Sequence, residues 1–102
     1  MAKPRIELQR ILENIMGNRN VYFQPPETVK LKYPCIVYNR SDIDVVHADN
    51  ILYKTKRLYS LMLMDRNPDS EYIDKLLSLP YCNFDRHYAA DNVNHDIFTI
   101  YF

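Results

Sequence analysis

Apolar residues recur at helical spacing near the start of the chain and at a period of two near its end. Leu8, Ile11, Leu12 and Ile15 form one stripe, with Arg5, Glu7, Arg10, Glu13 and Asn14 largely outside it. This predicts a helix over Pro4–Met16, stopped by Gly17, because glycine accepts the left-handed conformation that ends many helices. Glu7 and Arg10 stand one turn apart and are expected to pair.

The pattern then turns to strands. Val21-Tyr22-Phe23 is a short one, cut off by Gln24-Pro25-Pro26, and Tyr33–Tyr38 (YPCIVY) is a second, with Pro34 near its start where a missing N–H is tolerated. Asn39–Lys54 is polar apart from Val45-Val46 and reads as a long excursion, with at most a short strand at Asp44–His47. Segments of this length in small domains usually carry function. Lys56–Met64 (KRLYSLMLM) is apolar on both faces, which predicts a central strand.

In the next stretch Asn67 suits an N-cap, Pro68 the first helical position, and Asp69 with Glu71 the acidic first turn. Ile73, Leu76 and Leu77 give this helix a buried side, and Pro80 ends it. Tyr81–Tyr88 and His95–Phe102 read as a hairpin around Ala89–Asn94, and Phe98, Ile100 and Phe102 alternate with Ile97, Thr99 and Tyr101. The order predicts one α+β domain over residues 1–102. Its mainly antiparallel sheet has four to five strands, two helices pack on one face, and a loop or hairpin excursion spans about residues 39–56. The sheet face without helices, expected to carry Tyr and Leu, then suits contact with neighbouring subunits.

Composition narrows the chemistry. Thirteen acids balance thirteen bases, which argues against a domain held to nucleic acid by bulk charge. The charge is asymmetric: residues 1–32 hold six bases and three acids, residues 58–102 three bases and seven acids. That suits head-to-tail packing of copies as well as it suits solvated faces. No apolar run approaches the ~20 residues of a membrane span, and no signal-peptide core stands at the N-terminus. Gly17 is the only glycine. Phosphate-cradling loops and dinucleotide fingerprints need several, so both are excluded. Cys35 and Cys82 lie in apolar, strand-like sequence and are read as buried free thiols.

The remaining constellations fail on spacing. Asp65, Asn67 and Asp69 match the first three ligand positions of a helix-loop-helix calcium loop, but Ser70 stands where glycine belongs and Leu76 where a bidentate glutamate is needed. Cys35, Cys82, His47, His87 and His95 lack the paired short spacings of a zinc site, although His87 and His95 could meet across the terminal hairpin. Cys82, Asp85 and His87 offer nucleophile, acid and base, yet an odd separation should put Cys82 and His87 on opposite faces. Asp65 and Asp85 are better explained by pairing with Arg66 and Arg86 or by capping than by acid–base work. Tyr22, Tyr33, Tyr38 and Tyr59 lack the interleaved bases of a nucleic-acid platform. No enzyme, cofactor or metal is expected.

Several motifs do resemble a known group. DRNPDS (Asp65–Ser70), KLLSLPYCNFDRHY (Lys75–Tyr88) and ADNVNHDIFTIYF (Ala90–Phe102), with YPCIVY and Ala48-Asp49-Asn50 in the same order, resemble small proteins of tailed-phage head–tail gene clusters. The likeness covers most of the chain after about Val21 and is similar to the tail terminator or tail completion family. Relatives often have Asp-Gly in the last hairpin where this chain has Asp91-Asn92, and asparagine should keep that turn. The resemblance implies a homohexameric ring at the head–tail junction of a virion, assembled in the bacterial cytoplasm. Its partners would be further copies, the tail tube protein and the head-completion or connector protein, with genomic DNA passing through the lumen unread and no membrane involved. The alternatives are a head-completion or stopper protein of the neck, or a small nucleic-acid-binding domain. Arg40, Asp42, Asp44, His47, Asp49 and Asn50 are the candidate inter-subunit contacts, because sheet edges and a long excursion suit that role.

Overall fold

A computed structural model describes residues 4–49 and 51–102, and at 52–54 the backbone only. The elements are α1 (Arg5–Met16), β1 (Val21–Phe23), β2 (Cys35–Ala48), β3 (Ile51–Asp65), α2 (Tyr72–Leu77), β4 (Cys82–Ala90) and β5 (Val93–Tyr101). The strands make one sheet in the order β1-β2-β3-β5-β4, antiparallel except for the β1–β2 pair. The α+β class, the mainly antiparallel sheet and the central place of β3 follow the sequence reading.

Residues opposite one another across strands share a face. Val21, Ile36, Leu63 and Asp96 therefore align, as do Phe23, Tyr38, Leu61, Phe98 and Phe84. Both helices pack on this face. Leu8, Leu12 and Met16 of α1, at intervals of four, join Leu76 of α2 in one buried cluster with Ile36, Tyr38, Tyr59, Leu61, Leu63, Phe98 and Ile100. Polar contacts fix α1 over the β1–β2 edge. Tyr38 donates its hydroxyl hydrogen to Gln9 Oε1 and accepts from Arg5 at 2.9 Å, while Gln9 Nε2 donates to the Val21 carbonyl at 3.0 Å. Gly17 ends α1 at φ 71° and donates its N–H to Glu13 O at 2.9 Å. The expected Glu7–Arg10 pair is absent among the described residues, since the only ion pair there is His87–Asp96.

The second face follows expectation only in part: Tyr22, Leu58, Tyr88 and Tyr101 lie on it. Its buried residues are Ile97 and the cluster Cys35, Met64 and Val93, with Tyr22, Val37 and Met62 beside that cluster and Leu31 laid over it from the segment joining β1 to β2. Leu61, Leu63, Tyr38 and Tyr59 are instead buried under the helices. The pleat sends alternate residues to opposite faces, so an apolar run on a central strand fills both.

Two boundaries move. The second helix begins at Tyr72, not at Pro68, because side chains turn the preceding backbone before a helix can start. Asp65 Oδ1 accepts from the Asn67 N–H and Asn67 Oδ1 from the Asp69 N–H, each at 3.0 Å, and the buried Ser70 Oγ accepts from the Tyr72 N–H at 3.3 Å. The terminal hairpin closes on two residues only, Asp91 and Asn92, at φ 54° and 62°. Both lie in the left-handed region, the conformation of the tight turn whose twist matches its strands.

Unfolding in urea should rank the interactions. Leu61→Ala is expected to lose about 2–5 kcal/mol through the cavity it leaves. Tyr38→Phe should lose about 1 kcal/mol with its hydroxyl contacts, whereas Val45→Ala should stay within about 0.5 kcal/mol.

Candidate functional site

The excursion at 39–56 is a hairpin. β1 ends opposite Tyr38 and β5 ends opposite Leu58, with one further bond from the Phe102 N–H to the Arg57 carbonyl at 3.0 Å; from Asp44↔Lys56 to Ala48↔Ile51, β2 and β3 are the only paired strands among the described residues. The result is a two-stranded arm, in a molecule whose principal extents are 52 × 28 × 23 Å. The expected short strand at Asp44–His47 is thus the outer end of a fourteen-residue strand. Its polar composition did not prevent pairing, because neither face of a projecting ribbon is buried and both can carry charge.

Arg40, Asp42, Asp44, His47 and Asp49 all lie exposed on this arm or at its root, and Asn50 lies outside the described residues. A bulge at Ser41, whose hydroxyl donates to the Leu58 carbonyl at 3.1 Å, marks the root and resets the alternation. Beyond it Ile43 and Val45 continue the helix-bearing face, 40% and 48% exposed, while Asp42, Asp44 and Val46 continue the second face. Asp49 takes φ 53° at the tip.

Two carboxylates and a phenol gather at the second-face root. The carboxylate of Asp44 beside Tyr101 pushes the phenol's pKa above its ordinary value, with burial, a hydrogen bond to Asp44 and the charge of Asp42 adding to it. On the other face Arg57 sits opposite Ile43, and its Nε is buried without a hydrogen-bond partner among the described residues.

No arrangement elsewhere assembles a catalytic centre from the residues singled out in the sequence. His87 and His95 do not meet. His87 Nδ1 lies 2.7 Å from Asp96 Oδ1 on the helix-bearing face, and His95 stacks on Tyr88 at 4.6 Å on the other. The parity argument for Cys82 and His87 needs correcting. A bulge at Asp85 adds one residue between Phe84 and Arg86, which returns Cys82 and His87 to the same face. They remain apart, opposite Ile100 and Asp96, a separation of roughly 13 Å at strand rise. Of the two explanations for Asp65 and Asp85, ion pairing with Arg66 and Arg86 is absent among the described residues, while Asp65 does cap backbone, accepting from the Asn67 N–H. Asp65 and Asn67, the calcium-like residues, use side-chain oxygens to accept from the backbone. No group of three or more His, Cys, Asp or Glu placed to hold a metal occurs among the described residues.

No signal in the sequence pointed to the His87–Asp96 contact. Asp96 is 5% exposed at its side chain against 43% for His87, so the strand buries a carboxylate and the imidazole satisfies it from the rim. Cys35 and Cys82 are free thiols, as expected. Burial raises both from the ordinary 9.0 to about 11, which keeps them protonated and poor nucleophiles.

No protein-family model matches the sequence, and no curated protein matches it either. No helix among the described residues is long and apolar enough to cross a membrane.

Three measurements follow. Hydrogen exchange should be faster at the amides of Val45 and Val46 than at Leu61, since an isolated two-stranded ribbon is marginal by itself. His87→Ala should cost about 1–3 kcal/mol by stranding the Asp96 carboxylate. For the thiols, the folded form disfavours the thiolate, so their contribution to stability is complete below pH 9 and is lost as pH rises toward about 11. A urea titration across that window, compared with Cys35→Ala and Cys82→Ala, reads it directly.

Proposed function

We propose that this chain is a structural protein of a long-tailed phage virion, forming a ring that caps the tail tube and joins it to the head. The observation that carries the reading is the arm. Beyond the sheet body it pairs with no further strand among the described residues, yet it exposes Ile43, Val45 and Val46 between Asp42, Asp44 and His47. Side chains of that mixture on a protruding ribbon suit a wet, specific contact with another protein surface. The likeness of the segments after Asp65 to tail terminator and completion proteins supports the same reading.

The mechanism is mechanical, with no enzymatic step, cofactor or metal. Tube rings stack by repeating one axial interface, so a stack ends when a ring offers the tube a matching face and offers a different face beyond it. Copies of this chain would be the first partner, tail tube protein the second, and the connector or head-completion protein the third. Zero net charge suits a lumen through which DNA moves without being held.

Two experiments test the assignment. The protein should appear in purified virions at the head–tail junction, seen by antibody labelling in electron microscopy. Phage lacking its gene should accumulate filled heads and unattached tails of uncontrolled length. Purified ring that binds the connector but not the tube would move it one position higher, to a stopper. Absence from virions overturns the assignment.

A further inference from the structure

Among the open strand edges of the described residues, two fit each other. β4 is paired only with β5, so the backbone groups on its outer side have no strand partner. β2 is paired with β1 only through Tyr38, the Arg40 N–H is taken by Gln24 Oε1 at 3.3 Å, and no strand lies outside positions 42–48. Open edges of this length are templates for another strand.

Strand direction and face both allow the pairing. β2 is antiparallel to β3, β3 to β5 and β5 to β4, so β4 runs opposite to β2. A second copy placed beside the first with its sheet facing the same way therefore brings its β2 antiparallel to β4, and the helix-bearing faces continue one another. Because β1 blocks the inner part of β2, the contact must use the arm. Each copy is then offset along the strands, the kind of stagger that a closed assembly accommodates by tilting its strands.

Side chains single out a register. On β4, Phe84 and His87 belong to the helix-bearing face, and Arg86 and Tyr88 to the second face. On the arm, Val45 and Ile43 belong to the former, and Asp44 and Asp42 to the latter. Antiparallel alignment of Arg86 with Asp44 places His87 by Ile43 and Tyr88 by Asp42. Across the bulge it places Phe84, itself 47% exposed, by Val45. Apolar surface meets apolar surface on one side, and a guanidinium and a phenol meet two carboxylates on the other. Neither Arg86 nor the two aspartates has an ion-pair partner among the described residues. Within the chain, Asp44 faces Lys56 across the hairpin and Tyr101 beside it.

From this geometry we infer that the partner of the arm is a second copy of this chain, whose β4 edge it extends as an added antiparallel strand with Asp44 opposite Arg86. The contact rests on the ring reading above and specifies how neighbouring subunits would join. It is head-to-tail, with different surfaces on the two partners, so it closes into a ring by repetition.

The test uses two variants of the full chain, D44R and R86D, followed by sedimentation velocity with circular dichroism as the check on folding. Each alone should self-associate at least about tenfold more weakly than wild type, because every contact then opposes like charges. An equimolar mixture should recover association. There the arm of D44R meets β4 of R86D with opposite charges, and the reverse contact is wild type. Asp44→Asn, which removes the charge without placing a cation opposite Lys56, should weaken association less than D44R and remain unrescued by R86D. If wild type associates and neither variant weakens it, or the mixture does not recover, the contact is wrong and the ring reading stands. Wild-type chain that stays monomeric at every soluble concentration, and is absent from virions, removes both.

Discussion

Strand β3 has two neighbours of unequal length, and the architecture depends on that inequality. β2 accompanies it from end to end, whereas β5 pairs only with Leu58–Asp65. Where three or more strands lie side by side, alternate residues can be buried on each face. Leu61 and Leu63 go under the helices, and Met64 goes against Cys35 and Val93. Where only two strands remain, no layer can be covered, and the sequence becomes polar with scattered aliphatics. Body and arm are therefore one ribbon whose environment changes at Leu58, its pairing interrupted there only by the bulge at Ser41.

One bulge on β2 and one on β4 re-aim the side chains beyond them. The extra residue at Ser41 re-aims the arm, so that carboxylates Asp42 and Asp44 share the face of Tyr101. The extra residue at Asp85 brings His87 onto the face of Asp96, whose buried carboxylate would otherwise have no partner among the described residues. In both cases one inserted residue decides which side chains meet. Together they give the outer strands a face pattern in which apolar and charged positions alternate in step.

Much of this was legible because local signals agreed. Leu8 and Leu12 mark the buried side of α1, Gly17 its end, and the alternation around Phe98 and Ile100 the last strand. Legibility failed where a side chain competes with the backbone or where packing on a neighbour decides. Asn67-Pro68-Asp69 carries every sign of a helix start, yet Asp65 and Asn67 use their oxygens to hold turns, and the helix waits until Tyr72. Asn39–Lys54 looked like a loop because charge was weighed as evidence against strand, although an arm with two wet faces can hold any residue that tolerates extension. For the candidate site, Arg40, Asp42, Asp44, His47 and Asp49 could be singled out as part of one excursion, but their faces could not be read.

The amino-acid sequence by itself determined the class of the fold, the central place of Lys56–Met64 and the absence of glycine-rich phosphate loops. These depend on periodicity and composition, which are properties of the chain alone. Only the tertiary structure decided that the polar excursion is a paired arm, that Asp96 is buried against His87, and that Arg86 and Asp44 stand on equivalent faces of two open edges. The reason is physical: a one-residue bulge changes the facing of every position beyond it, and a bulge is set by the partner strand rather than by the residues it displaces.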